Sequence, residues 1–413
     1  MTASSPQRLH ALDALRGSAL LLGIVFHAAI SFMPGMFMWP VIDSQANTGF
    51  NLVFFVSHMF RMLTFFMLAG FFARMAFHRK GAISFAIDRF KRVALPMVIF
   101  WMPLFAAVIA AYIWGAIRAN GGELPEDDSG GPDLGLRTFP LTHLWFLYLL
   151  VVFYVAAFAV KGLAVIVDAN QILRRLIDRT IAVMLKSPLG LVIVAAPMVA
   201  WYWYNPMWFM WFGIPTPDYG FIPNGGALIG YGSAFAIGWL IQRQSGLLEH
   251  FKRQCLLYLG IAVGLTVYSL SIVGTDIAWA PAAQDQDKLI YAAVYTIAGW
   301  AWTFGLTGGA LLVWSGESKV RRYLADSSYW LYLMHLPVLM FLQVALADLV
   351  MPAPAKFAFL LAITLSILLA SYHVMVRNTF LGGWLNGRRY PGKSTKQEAG
   401  EESRTADAAS QQA

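Results

Sequence analysis

Arg16 and His27 bracket the stretch RGSALLLGIVFH, with only small or apolar residues between the guanidinium and the imidazole. On a helix, eleven steps of 100° return to within about 20° of the same face, and eleven rises of 1.5 Å separate the two groups by roughly 16 Å. A cation at one level and a base well along the same face would suit a ligand with a charged end and a reactive group at a distance. Asp13 stands three residues before Arg16, the spacing of a helical ion pair that would fix the arginine rotamer. A neutral imidazole near its ordinary pKa of about 6.5 suits proton abstraction at neutral pH. The plainer reading of the same residues is a positively charged topology anchor and a hydrogen-bonded packing histidine.

Three further stretches place ionisable groups among apolar ones. In SHMFRM, His58 and Arg61 lie three apart on one face, and Arg61 is too deep in its apolar run to snorkel out. Ionisable groups inside a membrane usually face the bundle interior or a cavity. In DRFKRVALP, Arg89 and Arg92 share a face and Asp88 is spaced to brace Arg92. Two guanidiniums at a helix mouth suit a phosphate-bearing ligand, a topology anchor being the alternative. In SSYWLYLMHLP, His335 is expected at a depth similar to that of His27, either in the site or as a hydrogen-bonded histidine between helices. FPLTHLWFL adds His143 and Trp145, expected near the exterior surface. No metal-ligand spacing, P-loop, GxGxxG or GxSxG pattern accompanies these residues, so no metal is expected.

The elements that must position them are membrane helices. Of 413 residues, 58% are hydrophobic and 13% charged, where a soluble chain would carry roughly 25% charged residues. A spanning helix needs about 20 mostly apolar residues. Segments 17–38, 51–73, 94–116, 142–163, 187–206, 224–242, 255–275, 289–314, 328–350 and 356–376 qualify. The expected fold is therefore all-α and polytopic, with about ten transmembrane helices. Basic residues crowd the N-terminus, every second loop and the C-terminal tail, while the other loops hold just Arg118, Arg137, Lys288 and Lys356. By the positive-inside rule both termini are cytoplasmic. The net charge of +8 thus reflects topology, and nucleic acid is not an expected partner. The exterior segment 204–223 is rich in aromatic residues and Pro, either as an interfacial belt or as a carbohydrate-stacking surface. One domain is expected over residues 1–390, with a disordered cytoplasmic tail over 391–413. The single cysteine, Cys255, excludes an internal disulfide.

These blocks resemble the acyltransferase-3 family of integral-membrane acyltransferases. LDALRG followed by His27 resembles the family's first-helix pattern, and FFMLAGFF its second, with Ala69 where Ser is usual. RFKR matches its Arg-x-x-Arg, and HLWFL and SSYWLYLMHLPVL match later blocks, although FPLTHLW lacks the stricter Pro-x-x-Trp spacing. Within the family, SHMFRMLTFFMLAGFF and RNTFLGGWLNGR look like the branch that succinylates osmoregulated periplasmic glucans of Gram-negative bacteria.

The resemblance implies a multi-pass inner-membrane enzyme that uses acyl-CoA, here succinyl-CoA, as a co-substrate with no permanently bound cofactor. Arg16, Arg89 and Arg92 would hold CoA phosphates. His27 would act as general base or as an acyl-carrying nucleophile, and Arg61 or His58 would stabilise the oxyanion. The partners are then acyl-CoA, a periplasmic glucan and the lipid bilayer. A different envelope saccharide as acceptor is one alternative. A transporter, which also places ionisable groups at the midplane, is another.

Overall fold

The computed structural model describes residues 6–124, 131, 133–187 and 189–387. The tail expected over 391–413 lies outside the described residues, as do residues 125–130 and 132. The order of helices is α1 (Pro6–Ile30), α2 (Gly49–Lys80), α3 (Ala82–Arg89), α4 (Leu95–Ala119), α5 (Trp145–Val167), α6 (Ile172–Lys186), α7 (Gly190–Tyr204), α8 (Gly225–Arg243), α9 (Gly246–Arg253), α10 (Cys255–Val273), α11 (Gln286–Val313), α12 (Lys319–Leu346), α13 (Ala353–Ser371) and α14 (Phe380–Asn386). Among the described residues the β-structure amounts to an isolated bridge between Pro140 and Tyr219. Helices occupy all ten expected spans. Eight are individually long and apolar enough to cross a membrane, and nine if α6 and α7 form one bent span. α7 falls short at 15 residues, and α8 dilutes its apolar residues with Gly, Ser and Tyr.

The first helix differs most from its expected bounds. α1 stops at Ile30 rather than near residue 38, because Pro34 has no N–H to bond Ile30. His27 therefore sits in the last turn of α1. Residues 31–48 continue as turns anchored by the buried Ser31, Phe32, Met33, Met36 and Asp43, with Asp43 N–H donating to Ser31 O and Asn47 N–H to Phe32 O. Irregular backbone at membrane depth is tolerated where protein surrounds it or a cavity adjoins it. Here both hold. Lys356, fully buried, donates to Asp43 Oδ1 at 2.9 Å and to Ala347 O at 2.8 Å, tying this segment to the start of α13. Lys288, also fully buried, donates to Asn205 O and Gln284 Oε1. Arg118 pairs with Asp348. Three of the four basic residues on the sparsely charged side are thus held in internal contacts.

Packing rests on small residues. Lipid gives helices no hydrophobic drive to associate, so close backbone approach carries the contact. α2 crosses α8 at reciprocal glycines. A Cβ on Gly70 would stand 2.0 Å from Phe235 O, and one on Gly238 would stand 1.8 Å from Met67 O. α1 and α12 run parallel, touching where Gly17 meets Ala325 and again at His27 and His335. Overpacking a tight contact costs typically about 1–3 kcal/mol, and here the obstacle is backbone, which yields little. Gly238→Val should therefore lower the melting temperature of the detergent-solubilised protein sharply or abolish its folded yield. Gly264→Val, on a helix face with nothing within 4 Å, should leave both unchanged. Equal behaviour of the two variants would contradict this packing.

Candidate active site

Three prolines shape the site by removing backbone donors. Pro337 has no N–H, so the carbonyl of Leu333, four residues back in α12, is left free. His143 takes it, its Nε2–H donating to Leu333 O at 3.0 Å. The Tyr332 hydroxyl returns the link, donating to His143 O at 2.7 Å. Pro96 acts the same way on the carbonyl of Arg92, which accepts from the Tyr329 hydroxyl at 2.8 Å. A π turn over Phe90–Ala94 diverts the Leu95 N–H to Phe90 O, and the Lys91 carbonyl then accepts from the Trp384 indole at 2.6 Å. Pro34 ends α1 and so leaves His27 in its last turn.

His27, His143 and His335 come together. The ring centroids of His27 and His335 are 5.0 Å apart, and those of His143 and His335 are 5.4 Å apart. The hydrogen bonds assign the tautomers, because a carbonyl can only accept. His335 Nδ1 lies 2.7 Å from Tyr332 O, so it carries the proton and Nε2 keeps a lone pair. His27 Nδ1 lies 2.8 Å from Gly23 O and 3.1 Å from His335 Nε2. Both neighbours are acceptors, so His27 carries its proton on Nδ1 and shares it between them. Its Nε2 is then an unprotonated base, without a partner among the described residues and facing a cavity of about 1000 Å³. The lone pairs of the three rings do not converge, and no metal-holding group of His, Cys, Asp or Glu exists among the described residues.

Arg61 faces the same cavity. Its guanidinium lies 4.5 Å from the centre of the Phe26 ring and makes no ion pair with any described residue. Nε is buried without a partner, while the terminal nitrogens border the cavity beside Gly23. A Cβ on Gly23 would come within 3.1 Å of Nη1, so the glycine leaves the guanidinium room. His58 lines the cavity too, but its Nε2–H donates to Ile214 O at 3.2 Å and its Nδ1 is buried. It presents no free N–H there. A net hydrogen bond between membrane helices is worth only about 0.6 kcal/mol on average. Bonds that weak do more to orient these rings than to hold the bundle together.

The sequence places His143 and Trp145 near the exterior surface. They are buried, at 6% and 8% exposed, in the cavity wall. The chain turns inward at Thr142, a β-branched residue with φ of 50°. Such backbone strain costs of order 1–3 kcal/mol and gathers at functional sites. One part of the cavity is aromatic, with Trp201, Trp208, Trp279, Phe212 and Tyr219. Asp218 borders it, and burial raises its carboxyl above the usual range. Ala69 does not line the cavity.

The expected cationic residues form two groups at the other end. Arg16 is 3.1 Å from Asp13 Oδ1, as spaced, and lies over the Phe72 ring. It lines a separate pocket of about 260 Å³ with His10, Arg321 and Arg322. That pocket lies one helical turn along α1 from Ala19 and Leu20 in the large cavity. Asp88 gathers Lys80, Arg89 and Arg92, with Arg92 Nε at 3.3 Å. Arg89 and Arg92 do not line the Arg16 pocket. The N-terminal part of α12 adjoins both groups, through Arg321 and Asp326 on one side and Tyr329 on the other.

The acyltransferase-domain family profile matches residues 9–373. Curated relatives include Glucans biosynthesis protein C of Shigella boydii serotype 4 and of Escherichia coli strain SMS-3-5, each 32% identical over 150 residues, and of E. coli K12 at 31%. Each match covers 35% of this chain and 37% of the relative's length. No solved structure matches.

The tautomers are directly measurable. In histidine-labelled protein at neutral pH, ¹⁵N NMR should find His27 and His335 protonated on Nδ1, and His58 and His143 protonated on Nε2. Protonation of His27 on Nε2 would remove the free base from the cavity and contradict the arrangement.

Proposed function

The chain belongs to the acyltransferase-3 family, and from that premise we propose that it transfers an acyl group, succinyl, from acyl-CoA to hydroxyls of a periplasmic glucan at the inner membrane of a Gram-negative bacterium. The observation that carries this reading is the unprotonated Nε2 of His27 in a cavity beside the unpaired guanidinium of Arg61. The donor enters from the cytoplasmic side with its phosphates toward Arg16, Arg89 and Arg92. Charge-assisted contacts of that kind are worth about 1.5–3 kcal/mol each. Its thioester then has to reach His27, roughly 16 Å along α1 from Arg16. The glucan enters the aromatic end of the cavity, where flat ring faces suit sugar faces. The names of the curated relatives and the order of the sequence motifs support the choice of glucan and succinyl.

His27 Nε2 takes the proton of a glucan hydroxyl as its oxygen attacks the thioester carbonyl. The carbonyl oxygen becomes an oxyanion beside Arg61. The C–S bond then breaks, the ester forms, and His27 returns the proton to the CoA sulfur. His335 accepts from the Nδ1–H throughout and favours the imidazolium that forms on His27. This is the orienting role that a carboxylate plays in a catalytic triad, done here by a neutral group. A succinyl group also brings a carboxylate into an apolar cavity, where a buried unpaired charge is costly. Arg61 is the cation that can receive it.

Removing one oxyanion donor typically costs about 10²–10³ in rate. In purified enzyme, Arg61→Gln should therefore lower transfer from succinyl-CoA by at least that factor and transfer from acetyl-CoA by less. Equal losses for the two donors would assign Arg61 to the oxyanion alone and remove its support for succinyl. Wild-type enzyme that transfers no acyl group from any acyl-CoA to a glucan would overturn the reading.

A further inference from the structure

Gln343 stands alone as a polar residue in the apolar run LMFLQVAL of α12, and it is 3% exposed. Both ends of its amide are used. Nε2 donates to His27 O at 3.1 Å and to Ala28 O at 3.2 Å. Oε1 accepts from the Trp39 indole at 2.9 Å. The need for these bonds arises in the last turn of α1. There the Phe32 N–H turns to Ala29 O at 2.9 Å, so Ala28 O has no helical donor. Unpaired carbonyls at a helix end must be met by side chains, water or tighter turns. Gln343 meets this one from a neighbouring helix.

The indole it holds is the one beside the base. The Trp39 ring stacks on the His27 ring, with centroids 6.3 Å apart and planes 23° apart. His27 thus meets the rings of both His335 and Trp39. One residue fixes the backbone beneath it and the ring beside it. We infer that Gln343 is a positioning residue for His27, acting through the last turn of α1 and through Trp39, so that Nε2 points into the cavity. The catalytic part of this inference rests on the acyl-transfer reading; the orientation of His27 does not.

The variants are Gln343→Met, which keeps the volume and loses every hydrogen bond, Trp39→Phe, which keeps a ring and loses the indole N–H, and the double variant. Misplacing a reacting group by about 1 Å can cost 10²-fold. Gln343→Met should lower kcat per folded enzyme by at least tenfold and leave KM for acyl-CoA unchanged. Trp39→Phe should lose less, and the double variant should be no worse than Gln343→Met, because the indole N–H acts only through the amide. A second readout needs no turnover. Carbethoxylation of His27 by diethyl pyrocarbonate, followed by mass spectrometry, should speed up at least threefold in Gln343→Met as Trp39 leaves the ring.

Unchanged kcat with unchanged carbethoxylation would overturn the inference, as would losses that multiply in the double variant. If Gln343→Met does not fold, Trp39→Phe decides: wild-type kcat and wild-type carbethoxylation would overturn it. If the wild type shows no acyl transfer, the acyl-transfer reading fails, and the carbethoxylation rates still test the orientation.

Discussion

His27 has two ring nitrogens, and the protein satisfies one of them. Gly23 O and His335 Nε2 share the proton on Nδ1, which leaves Nε2 as a bare acceptor in the cavity. The surrounding architecture follows from keeping that arrangement. His335 can accept only because its own Nδ1–H is bound to Tyr332 O. α12 must therefore run beside α1 in fixed register, and the two helices also meet at Gly17 and Ala325. A one-turn slip between the two helices would move the rings about 5.4 Å apart along the axis and break the pair.

Backbone groups in a membrane protein need partners within the protein, and this fold uses that demand to build its site. Each of Pro96 and Pro337 frees a carbonyl, and each carbonyl is met by a side chain from another helix. The Leu333 carbonyl draws His143 into the wall of the cavity. The Arg92 carbonyl holds Tyr329, which ties the basic cluster on α3 and the following π turn to α12. Helix breaks that would be defects in an isolated helix serve here as attachment points. α12 is consequently the shared support of the histidines, the Arg16 pocket and the Arg92 cluster.

Much of this was legible in the sequence. Apolar runs located the helices, and the spacings of Asp13 with Arg16 and of Asp88 with Arg92 gave ion pairs that form. The depth of Arg61 in its apolar run implied the bundle interior or a cavity, and Arg61 lines a cavity. What escaped depended on contacts between distant segments. His58 carries the same residue type as His27, and only the position of Ile214 O turns its N–H out of the cavity. The burial of His143 rests on an inward turn at Thr142, whose positive φ no propensity favours. Two signals in the sequence bear on these contacts. A proline four residues after Leu333 announced a free carbonyl, and a lone glutamine in an apolar run announced a buried hydrogen-bonding task.

In the proposed reaction the bare Nε2 of His27 takes a proton. Alanine and glutamine at this position test it most directly, with transfer rate and folded yield measured on the same preparations. A general base contributes typically 10²–10⁴-fold. If His27 is the base, both variants fold and bind acyl-CoA, and transfer falls by about that factor in each. Glutamine cannot take a proton at neutral pH, so it gives no rescue. A His27→Gln enzyme with near wild-type transfer, beside a His27→Ala protein lost from the membrane, would show instead that His27 only fills and bridges the core.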